Sequence, residues 1–199
     1  GFCLIFMSLV YFITHPEVHM DADVPVPQWP LSEKGRKRMK LLVTKYWVPG
    51  ISSIYCSTEK KAIDGARIMA DHLNLPFSTH ESLGENDRSS TGFLPKEAFE
   101  AMATRFFNNP DQSVQGWERA VDAQTRIVSA VDEVIKNDQS TGDIAIVSHG
   151  GVGTLLLCQL SGSRINRSKD QPGGGGGNLF CFEKESRQLI HDWKSIEES

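Results

Sequence analysis

The chain has 199 residues, 39% of them hydrophobic and 23% charged, with a formal net charge of −4. That balance describes a single domain able to bury a full core. The acidic surplus argues against a general nucleic-acid or anionic-membrane surface, so an anionic substrate would need a local positive pocket. Cys3, Cys56, Cys158 and Cys181 are widely spaced, with no Cys-x-x-Cys. They read as structural thiols in a reducing compartment, which points to a cytoplasmic protein without a disulfide framework or metal site.

Phe2 to Ile13 is almost wholly apolar. It is too short to cross a bilayer as a helix and lacks the basic start and small-residue cleavage site of a signal peptide. Its second half, Leu9 to Ile13, reads as a buried strand that stops at Thr14–His15–Pro16. A Pro-rich loop from Val24 to Pro30 follows. Ser32 is placed to cap a helix with Glu33 in its first turn, running to about Val48 and stopping at Pro49–Gly50. The run Lys34, Arg36, Lys37, Arg38 and Lys40 reads as a solvated face of that helix.

Ile51–Ser57 reads as a second strand, Glu59–Leu73 as a helix and Phe77–His80 as a short third strand. The polar loop 84–92 leads into two helices, Pro95–Phe107 and Val114–Lys136, the second with apolar spacing at Val121, Ile127, Val128, Val131 and Val134. Ile144–Ser148 is a late buried strand, followed by His149–Gly150–Gly151 and a helix over Val152–Leu160. Five consecutive glycines, Gly173–Gly177, read as a flexible connection or close-packed turn. They lack the Lys-Ser/Thr ending of a Walker loop. Leu179–Phe182 and Leu189–Trp193 are spaced as a closing hairpin. Strands alternating with helices imply a three-layer α/β/α sandwich with a mainly parallel sheet. The whole chain, 1–199, reads as one domain interrupted by an insertion at about 84–113.

His15 and His149 both fall at the carboxyl ends of buried strands, where ligands bind in open α/β sheets. Around them the chain resembles the histidine phosphatase (phosphoglycerate mutase-like) superfamily. Ser148–His149–Gly150–Gly151 matches its late Ser-His-Gly-Gly. Thr14–His15–Pro16 stands where it has Arg-His-Gly. Leu31–Ser32–Glu33–Lys34–Gly35 is similar to its Leu-Thr-x-x-Gly, and Ser57–Thr58–Glu59–Lys60–Lys61–Ala62 to its Ser-x-x-x-Arg-Ala. The four segments occur in family order and span roughly Ser8 to Trp193.

The resemblance implies an active-site cap in the 84–113 insertion and a metal-independent phosphatase with no cofactor. His15 would be the nucleophile that forms a phosphohistidine. His149 would stabilise the phosphoryl oxygens, with Gly150 opening the next helix to an anion. The family's proton donor falls in the loop after Leu83, making Glu85 the general acid with a carboxyl raised by the pocket; Asp87 and Glu81 are the alternatives. Glu17, two residues past His15, reads as a solvated or capping carboxylate.

The phosphate clamp departs from the family. Thr14 offers a neutral hydroxyl where Arg is usual, and Lys61 keeps charge but loses the bidentate fork. Arg88 is the first candidate to substitute, ahead of Lys60 and Arg36. The expected partner is a small phosphorylated substrate, with no nucleic acid or membrane and no signal for oligomeric state. Two other functions stay open: phosphoryl transfer of the mutase kind, and a non-catalytic module that binds a phosphorylated ligand or a protein. The feature that separates the last from an enzyme is whether Arg88 or Lys61 addresses His15.

Overall fold

The computed structural model describes residues 7–199. Cys3 and the Phe2–Phe6 part of the apolar stretch lie outside the described residues. Six strands form one sheet: β1 (Leu9–Thr14), β2 (Ile51–Cys56), β3 (Ser78–Thr79), β4 (Asp143–Ser148), β5 (Asn178–Glu183) and β6 (Leu189–Ser195). Their order is β3-β2-β4-β1-β5-β6. β1, β2, β3 and β4 run parallel, and the β5–β6 hairpin closes the β1 edge antiparallel.

Alternation along β1 explains the three layers. Tyr11 and Ile13 join a core with Met39, Leu42, Ala66 and Met69, from α1 (Glu33–Leu42) and α2 (Lys60–Leu73). Val10 and Phe12 face the other way, onto Ile127, Val131, Val152 and Leu156, from α4 (Ala120–Asn137) and α5 (Gly150–Leu160). A strand buried on both faces needs apolar residues at every position, so such runs show no polar alternation. α3 (Lys96–Asn108) belongs to a third cluster. There Met102, Phe106, Phe107 and Trp117 pack with Ala120, Ala123 and Leu155.

Several boundaries differ from the sequence reading. α1 stops at Leu42, and Val43–Trp47 continues as turns into a single 3₁₀ turn at Val48–Gly50. Val43, Trp47 and Val48 are buried all the same, so their apolar character reports packing and not helix. The long helix expected from Val114 begins at Ala120. Gln115 (φ 48°) and Gly116 (φ 83°) take left-handed backbone there, which ends any helix through them. β3 has only two residues.

The register that matters for chemistry joins β1 to β4. Thr14 lies opposite Ser148, and the His15 N–H donates to the Ser148 carbonyl at 3.1 Å. Adjacent parallel strands therefore deliver His15 and His149 side by side.

Candidate active site

The two imidazoles meet at an edge-to-face angle of 66°, with ring centroids 5.0 Å apart. His15 Nδ1 lies 2.9 Å from the carbonyl oxygen of Pro16. A carbonyl can only accept, so Nδ1 carries the proton and Nε2 keeps its lone pair. Burial, then the neighbouring His149, lowers the His15 pKa to about 3. The Lys61 charge acts on His15 in the same direction. The ring is thus a neutral base with an open Nε2 across the physiological range. Pro16 supplies the carbonyl that fixes this tautomer and needs no N–H to do so.

His149 is 1% exposed. Its Nε2 lies 2.7 Å from Ser57 Oγ and 3.0 Å from Glu59 Oε2. Burial lowers the His149 pKa, against the pull of Glu59 and Glu85. Glu59 was not singled out from the sequence, yet it organises this half of the site. Its Oε1 is 3.5 Å from Lys61 Nζ, and its Oε2 accepts the Glu85 N–H at 3.0 Å. Burial would raise its carboxyl, but His149 and Lys61 outweigh that and hold it below the ordinary value. Lys61 is 4% exposed, and its ammonium lies 5.7 Å from the centre of the Trp29 ring.

Glu85 also reaches the site, in a state opposite to the one expected. Its Oε2 accepts the Gly151 N–H and its Oε1 the Val152 N–H, both at 3.0 Å. The carboxylate thus caps the first turn of α5, where unpaired amides and the helix dipole favour an anion. Burial alone would raise its pKa. Arg88, His149 and the Gly151 amide overcome this and bring it to about 2. The raised carboxyl predicted for a general acid is therefore corrected: in this arrangement Glu85 is ionised.

Arg88 stands beside it, Nη2 to Glu85 Oε2 at 3.7 Å. Its guanidinium lies 4.7 Å from the Phe99 ring centre and 5.2 Å from that of Trp117. Its Nε is buried without a partner among the described residues. The Lys61 charge acts on both His15 and His149, and that of Arg88 on Glu85 and His149. Lys60 and Arg36, the weaker substitutes, both pair with buried Asp64 instead.

The loop carrying Glu85 and Arg88 is held from α4. Arg126 donates to the carbonyls of Ser82 (2.8 Å), Gly84 (2.9 Å) and Glu85 (3.2 Å) while pairing with Glu118. Neither Arg126 nor Glu118 carries a sequence motif. Asp87 caps its own loop, its Oδ1 accepting the Ser89 N–H. Glu17 accepts from the Ser32 hydroxyl, and it is Ser32 that caps α1 by accepting the Gly35 N–H.

Thr14 is buried at the end of β1. Its Oγ1 accepts the Asn178 N–H at 3.0 Å and donates to Gln171 Oε1 at 2.7 Å. Its one proton is spent, so it cannot also clamp a phosphate in this arrangement. Of the five glycines, Gly176 and Gly177 pack closely behind the nucleophile, while Gly173–Gly175 are exposed with open space around them. Gly176 and Gly177 have φ of 68° and 70°, and the Gly177 N–H reaches the His15 carbonyl at 3.3 Å. A Cβ on Gly176 would collide with that carbonyl. Arg38 fastens the turn through the Gly176 and Gly177 carbonyls and pairs with Glu197.

Among the described residues, no group of three or more His, Cys, Asp or Glu side chains is placed to hold a metal ion. No helix among them is long and apolar enough to cross a membrane.

The fold is shared with solved structures, phosphatases among them. YhfR of Bacillus stearothermophilus superposes with a TM-score of 0.75 at 22% identity, over 93% of this chain and 95% of that one. The mycobacterial glucosyl-3-phosphoglycerate phosphatase in complex with inorganic phosphate gives 0.78 at 18%, over 96% and 100%. The α-ribazole phosphatase of Shigella flexneri gives 0.69 at 17%, over 94% and 96%. No curated protein matches the chain in sequence. The family model for the histidine phosphatase superfamily (branch 1) matches residues 10–179, which takes in both strand-end histidines. The chain belongs to the histidine phosphatase superfamily.

Proposed function

We propose that the protein is a cytoplasmic phosphomonoesterase that works through a phosphohistidine on His15. One observation carries this reading: a neutral imidazole with its Nδ1 proton fixed by Pro16 and its Nε2 open, 5.0 Å from a second buried imidazole. Nε2 would attack phosphorus in line, forming an N–P bond as the ester P–O bond breaks. Water then attacks the phosphohistidine and returns His15 and inorganic phosphate. His149 and Lys61 stabilise charge on the phosphoryl oxygens. Glu85 gives a proton to the leaving alkoxide and takes one from water in the second step. To do so it must leave the α5 amides, since the contacts that hold its pKa near 2 are made there. Residues 84–113 would act as the cap of this chamber, their first loop bringing Glu85 and Arg88 to the site. The phosphatases that share the fold fit a small phosphorylated substrate, and the free buried thiols Cys56, Cys158 and Cys181 fit a reducing compartment.

A second reading, a non-catalytic phospholigand-binding module, rests on the Glu85 carboxylate. It is ionised against the α5 amides and so lacks the proton that a leaving alkoxide needs. Assay of a panel of phosphorylated metabolites without added metal separates the two. Turnover that vanishes in His15→Ala, with acid-labile phosphate trapped on the wild type, is the expected result. Phosphate binding with no turnover on any substrate would favour the module and end the enzymatic reading.

A further inference from the structure

The donors around the two histidines leave one gap. Lys61 and Arg88 are each paired with a carboxylate, and the Thr14 hydroxyl is spent within the protein. On that side of the chamber, between the residue before His15 and the residue after His149, lies Gln171.

Its orientation is fixed by a chain of hydrogen bonds with one consistent assignment. The Pro172 carbonyl can only accept, so Asn178 turns its Nδ2 toward it, at 3.0 Å. The same Nδ2 donates to Gln171 at 2.9 Å, so Gln171 must present Oε1 there. The Thr14 hydroxyl, already accepting the Asn178 N–H, donates to that Oε1 as well. With its oxygen doubly held, the amide can turn only its Nε2 the other way. That nitrogen lies against the Cα of Gly150, where a Cβ would collide with it. Gly150 opens α5, and Nε2 makes no hydrogen bond among the described residues. A two-proton donor is thus held by its oxygen at the start of a helix, beside His149, half-buried and with no protein partner among the described residues.

We propose that Gln171 is a phosphate-binding residue, its Nε2 donating to a non-bridging oxygen of the phosphoryl group held between His15 and His149. This rests on the phosphatase reading and extends it. A side chain at position 150 would displace the amide, which lies against the Gly150 Cα. Thr14 acts through Gln171, as the positioning residue that holds the amide oxygen. The donor is neutral, so it adds a directed hydrogen bond without adding charge to a site whose cations are already paired.

Calorimetric titration with inorganic phosphate tests this. Gln171→Glu keeps an oxygen to accept from Thr14 and Asn178 but puts an anionic oxygen where Nε2 was. It is expected to bind phosphate at least tenfold more weakly and to raise KM more than it lowers kcat, with an unchanged melting temperature. Binding within twofold of the wild type would overturn the assignment. A second measurement needs no variant: the Gln171 side-chain NH2 resonances of ¹⁵N-labelled wild type should shift as phosphate saturates. Saturation without a shift overturns the proposal as firmly. A wild type that binds no phosphate would overturn both the phosphatase reading and this inference, whereas turnover with an indifferent Gln171 would overturn the inference alone.

Discussion

Glu85 shows how one side chain is tuned by where its carboxylate rests. Its folded pKa of about 2 lies below its ordinary value, so the unfolded chain binds the proton more readily. The resulting stability is fully present above about pH 5 and is lost as pH falls toward 2. Glu85→Gln should therefore be less stable than the wild type at pH 7, by roughly 2–3 kcal/mol, and the gap should close near pH 2–3. Urea unfolding at both pH values reads this directly; a gap that does not change with pH would show that the carboxylate is not held by charge. The same variant should slow poor leaving groups more than aryl phosphates, because only the former need a proton. His15 makes a parallel case. With its pKa near 3, the acid limb of kcat/KM should not fall at the usual histidine value of about 6.5. A ring titration of His15 at pH 6–7, followed by NMR, would contradict this lowered pKa. Both histidines were legible because each closes an apolar run with a turn signal. Glu59, Gln171 and Arg126 were not. They act through partners distant in the chain, as Gln171 does on Thr14 across 157 positions, and no local pattern marks such a contact.

Elements were legible where burial imposes a period. β1, β4, α2 and the β5–β6 hairpin follow their apolar spacing within a residue or two. Readings failed where a boundary depends on backbone angles that side-chain type does not report. Gln115 at φ 48° breaks the run into α4, and nothing in its identity announces that. α5 starts two residues earlier than its apolar pattern, at the glycines, because helix N-termini are set by what receives their amides. Here Glu85 receives two of them. This couples an element to a loop, and it can be tested at Gly151. An added Cβ would lie 2.5 Å from Glu85 Oε1 and 3.0 Å from Arg88 Nη2. Gly151→Ala should thus expel the carboxylate, although alanine favours the helix by up to about 1 kcal/mol. Backbone amide exchange at Val152 is expected to rise at least tenfold while exchange in β4 is unchanged. Protection retained at Val152 would mean that the cap tolerates the methyl and the loop has moved instead.

At the scale of the molecule the question is how an acidic protein, at −4, draws in an anion. Family membership and sandwich architecture were readable from motif order and strand–helix alternation, but the charge balance of the chamber was not, since it depends on which side chains meet. Lys61 and Arg88 supply two positive charges there, and Glu59 and Glu85 cancel them, while both imidazoles are held neutral by burial. A chamber with no net charge inside an acidic surface offers no long-range attraction to phosphate. Its kcat/KM should accordingly change little with ionic strength. Glu59→Gln shifts that balance by one unit without changing the size of the side chain, and frees Lys61 and His149 for a phosphoryl oxygen. At separations of about 5 Å and an effective dielectric near 20, one charge is worth a few kcal/mol before screening. Inorganic phosphate should therefore bind the variant about tenfold more tightly, and affinity and kcat/KM should both become salt-sensitive. Turnover need not rise with affinity, because product is held by the same contacts. Titrations at low and at 0.5 M salt decide the point: if Glu59→Gln binds no better than the wild type, Glu59 does not compete with phosphate and serves only to orient His149.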